Sequence, residues 1–156
     1  MKRIILLFVV SLSVIVLLGC ANTPVTMINY EIEGLVVNNY TDAAMVIVDG
    51  SVTNTGLAIE LYYYGEDEGM TGTWYSLYIY DNNEWNELPY IVDGNVAWAT
   101  IAYMVEKNHA AEMKVDWEWL YGQLSPGRYL ILKGFMNFRE AGDYDNYVLA
   151  CEFTLQ

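Results

Sequence analysis

The amino-acid sequence predicts an all-β fold, either a sandwich or a barrel. Short apolar segments follow one another at close spacing, with turn-forming residues between them. After the first twenty residues, no stretch keeps the 3.6-residue apolar period that marks an amphipathic helix. The chain has 156 residues, 54% of them hydrophobic, which is enough for one well-packed core and too few for two. These observations together favour a single β-domain.

The start of the chain predicts export and a lipid anchor. A basic stretch, Met1-Lys2-Arg3, precedes the apolar residues 4–18, as in a secretory signal peptide, and this run is shorter than the roughly 20 residues of a spanning helix. Residues 17–20, Leu-Leu-Gly-Cys, resemble the bacterial lipobox, whose cysteine becomes the acylated N-terminus. Lipidation of Cys20 would anchor the protein at the extracytoplasmic face of the cell membrane. The alternatives are an ordinary cleaved signal peptide and an uncleaved anchor.

This interpretation divides the chain into a cleaved signal peptide (1–19), a lipidated N-terminus with a short tether (20–26) and a folded domain (27–156). Along that domain the predicted strands are 27–37, 43–53, 57–64, 74–80, 85–92, 96–106, 111–115, 128–135 and 148–155. Turn residues separate them at 38–42, 54–56, 81–84 and 107–109, and an acidic loop bounded by glycines occupies 65–69. In the second strand we expect Val46, Val48 and Val52 to point inward.

Residues 115–135 predict a corner of the fold. Asp116 is placed to cap one helical turn at 117–120, and Gly122 can take the positive φ that ends this turn. Ser125-Pro126-Gly127 then forms a tight turn, because Pro sets φ at its second position. Tyr129 stands where sandwich domains carry a tyrosine corner, whose hydroxyl bonds back to the connecting loop.

The strand that follows is the longest strand-like run of the domain. Alternation places Tyr129, Ile131 and Phe135 on one face of it and Leu130 and Leu132 on the other.

The chain resembles the bacterial Ig-like domain of small lipoproteins from low-GC Gram-positive bacteria. The matching residues are Trp85, Leu88, Pro89, Ile101, Ala102, Tyr103, Asp116, Trp117, Leu120, Tyr121, Gly122, Leu124, Pro126, Gly127, Arg128, Tyr129 and Lys133. The resemblance implies an immunoglobulin-like antiparallel β-sandwich with one short helical turn, structural roles for the corner residues and no shared chemistry. Leu130 departs from the pattern, since the family is expected to carry Arg there. A more distant likeness is to Ig-like protease-inhibitor domains.

The charge of the chain excludes some classes of partner. The net charge is −13, and removing Lys2 and Arg3 leaves 5 of the 7 basic residues against 20 acidic ones. Nucleic acids and anionic headgroups are recognised by clusters of basic groups. We therefore expect no nucleic-acid binding, and contact with the membrane only through the lipid.

Patterns of catalytic and metal-binding residues are missing from the sequence. His109 is the single histidine and falls in a turn, which leaves no multi-histidine site. With Cys20 lipidated, Cys151 is the remaining thiol, and alternation puts it on one face with Leu149 and Phe153 as a small buried hydrophobe. We expect the protein to have no enzymatic activity and to bind no cofactor. The acidic residues 66–68 and 143–145 indicate solvated loops, with Ca²⁺ binding as the alternative.

Tyrosines on the predicted strands are the candidate binding surface. Tyr62, Tyr64, Tyr78 and Tyr80 alternate along two strands, and those on the solvent side could bind a glycan or a peptide. The alternative is that tyrosine fills half-buried strand positions. The sequence thus predicts a monomeric, non-catalytic surface module for an unknown glycan or protein, or a regulatory or inhibitory module that docks a protein partner through its acidic loops.

Overall fold

The computed structural model describes residues 30–32 and 34–156. The predicted signal peptide, Cys20, the tether and residues 27–29 lie outside the described residues. The elements in order are β1 (Tyr30–Ile32), β2 (Leu35–Val37), β3 (Ala43–Ile47), β4 (Gly56–Tyr63), β5 (Glu68–Asp81), β6 (Glu84–Glu87), β7 (Tyr103–Val105), β8 (Ala110–Asp116), α1 (Glu118–Tyr121), β9 (Gly127–Glu140) and β10 (Asp143–Leu155). No helix among the described residues has the length and apolar character needed to cross a bilayer.

Two antiparallel sheets face each other across the core. The first sheet has the strand order β10-β9-β5, and both β6 and β7 pair with β5. The second sheet has the order β3-β4-β8. Both sheets contribute to one buried cluster, which includes Met45, Ile59, Leu61, Tyr63, Leu77, Val115, Trp117, Tyr129, Ile131, Phe135 and Leu149. The predicted β-sandwich is confirmed, because each sheet buries one face on this shared core.

The long strand β9 lies at the centre of the first sheet. Tyr129, Ile131 and Phe135 point into the shared core, and Leu130 and Leu132 point to the outer face, as their alternation predicts. Leucines on an outer face would leave apolar surface in water unless another element covers them.

A small hairpin covers that outer face. β1 and β2 pair with each other, and Ile32 and Val37 pack against Leu130 and Leu132. The prediction of one strand over 27–37 is wrong for the described part, because Gly34 has a φ of 81° and reverses the chain.

Asn38 joins the hairpin to the edge strand β10. It has a φ of 57°, and its side-chain oxygen accepts the N–H of Ala150 at 2.8 Å while its amide donates to the Ala150 carbonyl at 3.1 Å. The Asn38 side chain thus occupies backbone groups of β10 that a free sheet edge would expose.

Three predicted strands are shorter than expected. The prediction over 85–92 ends at Glu87, and the prediction over 96–106 shrinks to β7, so residues 88–102 form neither strand nor helix. The prediction over 43–53 ends at Ile47, and Ala43, Met45 and Ile47 face the core in place of Val46 and Val48. Val52 does pack on the core from the following loop. Strand propensity identified extended, half-apolar chain here, but it cannot say whether a partner strand lies beside it.

The corner at 115–135 is held by hydrogen bonds. The Asp116 carboxylate accepts the N–H of Glu118 at 3.0 Å at the start of α1, and Gly122 ends the helix with a φ of 71°. Trp117 is fully buried, and its indole N–H donates to the Asn54 carbonyl at 3.0 Å. Leu120 and Tyr121 are buried beside it, and Pro126 lies exposed in the turn.

Tyr129 begins the central strand next to this turn. Its hydroxyl donates to the Ser125 carbonyl at 2.7 Å, and a Cβ at Gly127 would lie 3.2 Å from its ring. The ring therefore packs on Gly127 at a distance that leaves little room for a side chain there.

Candidate binding cleft

A long irregular segment crosses one side of the sandwich. We call residues 88–102, between β6 and β7, the strap. It is exposed along nearly all its length, and Leu88, Val96 and Trp98 are its half-buried residues, which pack against the core. Loops of this length without secondary structure are uncommon in compact domains and often carry function.

Exposed apolar side chains concentrate on the strap and its neighbours. Among the described residues, eleven large hydrophobic side chains are exposed, and seven of them lie here: Tyr90, Ile91, Val92, Ile101, Tyr103, Met104 and Trp119. Single exposed hydrophobics are ordinary, but their concentration on one segment and its neighbours favours an interaction surface.

Under the strap lies a cleft of about 340 Å³ between the edges of the two sheets. We call it the strap cleft. Its walls come from the strap, β5, β7, β8, β9 and α1. It is lined by Thr73, Tyr75, Ala97, Trp98, Ala99, Tyr103, Met113, Lys114, Val115, Asp116, Trp119 and Lys133. A cavity of this size accommodates a small ligand.

Aromatic rings form one wall of the strap cleft. Trp98 packs edge-to-face on the buried Tyr75, with ring centroids 5.0 Å apart, and on Trp119 at 6.1 Å. Trp119 is 51% exposed, so one part of its ring supports Trp98 while the rest is open to a ligand. Since Tyr75 donates to the Asp116 carbonyl at 2.9 Å, the base of this wall is fixed to the end of β8.

The strap is attached at several points. The Thr73 hydroxyl donates to the Ala99 carbonyl at 2.9 Å, and the Ile91 N–H donates to the Leu120 carbonyl at 2.9 Å. Tyr90 packs edge-to-face on Tyr121, with centroids 5.3 Å apart. These contacts hold the strap to β5 and α1 without any strand pairing.

Lys133 is the unexpected residue of the strap cleft. It lies on the core-facing side of β9 with 1% exposure, and its ammonium donates to the carbonyls of Gly72 and Trp74, the latter at 3.0 Å. These carbonyls belong to an irregular part of β5, where the pairing with β9 shifts register. Burial lowers the pKa of Lys133 to about 8, because an ammonium away from water is disfavoured.

A second cavity of about 350 Å³ lies on the other side of the strap. It shares Thr73, Trp98 and Ala99 with the strap cleft, and Met136 and Asn146 close its far side. Trp98 therefore contributes to the lining of both cavities.

The predicted tyrosine surface is divided between two faces. Tyr62 and Tyr64 stack with centroids 6.5 Å apart at one end of the second sheet, and the Tyr62 hydroxyl donates to Glu60 at 2.6 Å. Tyr78 lies on the outer face of the first sheet and is buried in the cluster beneath the β1–β2 hairpin. A single surface made of all four tyrosines is therefore wrong, because the strands that carry them belong to different sheets.

Tyr80 and Trp85 lie near the same outer face as Tyr78. Their rings pack edge-to-face at 5.1 Å, and the Arg128 guanidinium lies 4.5 Å from the Tyr80 centroid and 5.4 Å from that of Trp85. Arg128 also forms a bidentate ion pair with the Glu152 carboxylate. The cluster joins β5, β6, β9 and β10, which favours a structural role for Trp85.

The prediction that residues 66–68 and 143–145 lie in loops is wrong in part, because Glu68 begins β5 and Asp143 and Asp145 lie at the start of β10, where they pair with β9. Three of these carboxylates meet around one arginine. The Arg139 guanidinium donates to Asp143 at 2.6 Å and to Asp145 at 2.8 Å, and it lies 3.8 Å from Asp67. The pKa of the Asp143 carboxyl is lowered, chiefly by its hydrogen bond to Arg139. Within the described residues, no group of three or more histidine, cysteine or acidic side chains could hold a metal ion.

The remaining candidates for reactivity lie apart from the strap cleft. His109 is exposed in the turn between β7 and β8. Cys151 packs against the core, its thiol donates to the Met45 carbonyl at 2.7 Å, and burial raises its pKa to about 12. A thiol with a raised pKa is a poor nucleophile, as the apolar alternation around it predicts.

Sequence reasoning missed the strap cleft as a site. Trp98 and Lys133 were assigned to strands, and Trp119 to the structural corner. The signal that could have found the strap is the Leu88-Pro89 pair followed by Asp93-Gly94, since Pro and Gly interrupt strands. No comparable signal marks Lys133 as buried, because a lysine in a strand is ordinarily placed on the solvent side.

Comparison with known proteins identifies the fold family. The profile of the bacterial Ig-like domain matches residues 39–154, which is about three quarters of the chain and includes the strap, α1 and β9. No curated protein and no solved structure matches the chain. The family's sandwich agrees with the two facing sheets and the shared core. The chain therefore belongs to the bacterial Ig-like domain family.

Proposed function

We propose that this protein is a lipid-anchored, non-catalytic surface module that binds a partner in the strap cleft. The observation that carries the proposal is the aromatic wall of the strap cleft, where Trp98 packs between the buried Tyr75 and the 51% exposed Trp119, with the exposed Tyr103 in the same lining. Exposed apolar surface is costly for a monomer in water, so its concentration at one place favours binding.

The chemistry of the strap cleft favours binding over catalysis. Its ionisable side chains include Lys114, Lys133 and Asp116. The Asp116 carboxylate accepts a hydrogen bond from the backbone N–H of Glu118. General acid–base or nucleophilic catalysis needs a nucleophile and a base within hydrogen-bond reach of each other. No such pair is formed among the described residues that line the cleft.

The anchoring part of the proposal rests on the sequence. Residues 17–20 resemble a lipobox behind a signal peptide, and the domain that follows is acidic. A tether of seven residues reaches at most about 25 Å, so a lipidated Cys20 would keep the binding domain close to the membrane.

Two classes of partner are compatible with the strap cleft. A glycan would stack a sugar ring on Trp119, whereas a protein would cover the wider apolar band that includes Ile91 and Ile101. The wild-type protein and the Trp119→Ala variant, both immobilised, are tested against cell-wall polysaccharide and against membrane-extracted proteins. Tyr64→Ala is the control, since Tyr64 is 46% exposed but lies on the second sheet.

We expect retention that Trp119→Ala weakens and Tyr64→Ala leaves unchanged. Retention of polysaccharide alone assigns the glycan class, and retention of a protein alone assigns the protein class. Loss of retention with Tyr64→Ala but not with Trp119→Ala would contradict the placement of the site.

A further inference from the structure

The basic residues of the domain are few, and their partners differ. The described part of the chain has five: Lys107, Lys114, Arg128, Lys133 and Arg139. Lys107 forms an ion pair with Glu66, Arg128 with Glu152, and Arg139 with Asp143 and Asp145. Lys114 and Lys133 form no ion pair with any described residue.

These two lysines line the same cavity, the strap cleft. Lys133 is buried, and its hydrogen-bond partners are neutral carbonyls. Lys114 is exposed on the edge strand β8. Among the described residues, the two basic residues without a carboxylate partner therefore both belong to the lining of one cleft.

A buried charge is ordinarily balanced by an opposite one. The Gly72 and Trp74 carbonyls accept hydrogen bonds from the Lys133 ammonium but carry no net charge. The cause of its lowered pKa is burial, and no neighbouring carboxylate contributes. An anionic group entering the cleft would supply the missing negative charge and would gain a charge-assisted hydrogen bond.

We propose that the strap cleft binds an acidic sugar, with its carboxylate toward Lys114 and Lys133 and its ring against Trp119. This inference rests on the proposed function, whose site it uses. The cavity joins a cationic side to an aromatic wall, and a uronic acid ring joins a carboxylate to an apolar face. Thr73 and Tyr103 add hydroxyl groups to the same walls.

The net negative charge of the domain does not oppose this ligand strongly. At physiological ionic strength, charges more than about 8 Å apart across solvent are largely screened. The charges that matter are therefore the local ones, namely Lys114 and Lys133 against Asp116. The wider negative field lowers the association rate more than the stability of the bound state.

The test compares an acidic sugar with its neutral form. Full-length protein in detergent is titrated with uronic acid trisaccharides of the gluco and galacto series and with their methyl esters, which keep the ring but remove the charge. Binding is followed by tryptophan fluorescence and by the indole N–H signals in ¹⁵N-correlated NMR. We expect one of the acids to bind at least about tenfold more tightly than its ester, because the ester loses its charge-assisted contacts.

Variants locate the site. We expect Lys114→Gln to weaken binding about three- to fivefold, as for one partly exposed charge pair. Trp119→Ala should weaken it about five- to tenfold through lost ring contact. Lys107→Gln is the control, because it removes an exposed cation paired with Glu66 outside the cleft. Lys133→Met is informative only if urea unfolding shows that the variant is folded. Lys114→Gln therefore tests independently whether a cation of the cleft contributes to binding of the acid.

Three outcomes would overturn the inference. Equal affinity of acid and ester, with a response of the Trp119 signal, would show that the carboxylate is not recognised. The strap cleft would then remain the binding site for an uncharged ligand. Acid binding that responds to Lys107→Gln but not to Lys114→Gln would place the anion elsewhere. Failure of both acids and both esters to bind would exclude an acidic sugar, and the polysaccharide and protein retention experiment then decides the proposed function separately.

Discussion

The buried Lys133 gives a stability prediction with a definite sign. Burial lowers the pKa of its ammonium from 10.5 to about 8 in the folded chain. Between these two values the unfolded chain holds a proton that the folded chain has lost. The free energy of unfolding therefore rises with pH in this window, because raising the pH disfavours the state that binds more protons, and that state is the unfolded one. Below pH 8 the full cost of the buried ammonium is present.

The magnitude follows from the two pKa values. With a folded pKa of about 8 and an unfolded pKa of 10.5, raising the pH from 8 to 9 adds about 1 kcal/mol to the free energy of unfolding. Cys151 acts in the opposite direction, since its pKa rises from 9.0 to about 12 on folding and stability falls as the unfolded thiol ionises above pH 9. Burial also raises the pKa of Tyr75, which lowers stability above pH 10.

Urea unfolding at pH 7, 8 and 9 tests this prediction, with wild type compared with Lys133→Met. Subtracting the variant cancels the titration of Cys151 and of the other groups that both proteins share. We expect the wild-type stability to rise by about 1 kcal/mol relative to the variant from pH 8 to pH 9. A difference that stays constant, or that falls with pH, would mean that Lys133 is not a buried ammonium with a lowered pKa. Lys107→Gln, which removes an exposed lysine, should not change the pH dependence.

Three further predictions concern the corner, the anchor and the strap cleft. Tyr129→Phe should lower the free energy of unfolding by about 1 to 2 kcal/mol, because the Ser125 carbonyl loses its donor; urea unfolding measures this, and Tyr144→Phe, at an exposed position, should have no comparable effect. Cys20→Ala should move the protein from the membrane to the soluble fraction of fractionated cells, and continued membrane retention would contradict the lipid anchor. Trp119→Ala should lower the free energy of unfolding by about 0.5 to 1.5 kcal/mol, because the half-exposed ring loses its contact with Trp98, and a loss of about 3 kcal/mol or more would assign Trp119 to the core.

The β-sandwich could be predicted because its signals are local and repeated. Tyr129, Ile131 and Leu130 alternate in phase with the pleat, and the chain buries them on the faces that this phase requires. Asn82 and Asn83, with φ values of 52° and 69°, form the two-residue turn that their sequence predicts, since asparagine tolerates positive φ.

The strap could not be predicted because its residues have strand-like composition without a partner strand. Tyr90, Ile91 and Val92 favour extended chain, but pairing depends on contacts distant in sequence, and here α1 takes the place of a strand by accepting the Ile91 N–H. The β1–β2 hairpin was missed for a related reason. The predicted strand over 27–37 includes Gly34, whereas the positive φ of this residue reverses the chain.

The strap cleft was missed because its members come from six separate segments. Trp98, Trp119 and Lys133 are far apart in sequence, and each has an ordinary structural interpretation when taken alone. A lysine in a strand predicts a solvent-facing position, yet the irregular pairing of β5 leaves two carbonyls that the Lys133 ammonium satisfies inside the fold. Only the three-dimensional arrangement shows that aromatic rings and two cations share one cavity.

The tryptophan indole N–H signals report whether a ligand binds in the strap cleft. The chain has five tryptophans, and their N–H resonances can be assigned by substitution. During titration with cell-wall polysaccharide, we expect the Trp98 and Trp119 signals to shift, whereas those of Trp85 on the outer face and of the buried Trp117 stay unchanged. A titration in which the ligand binds and shifts the Trp85 signal, with no change at Trp98 or Trp119, would show that the strap cleft is not the binding site.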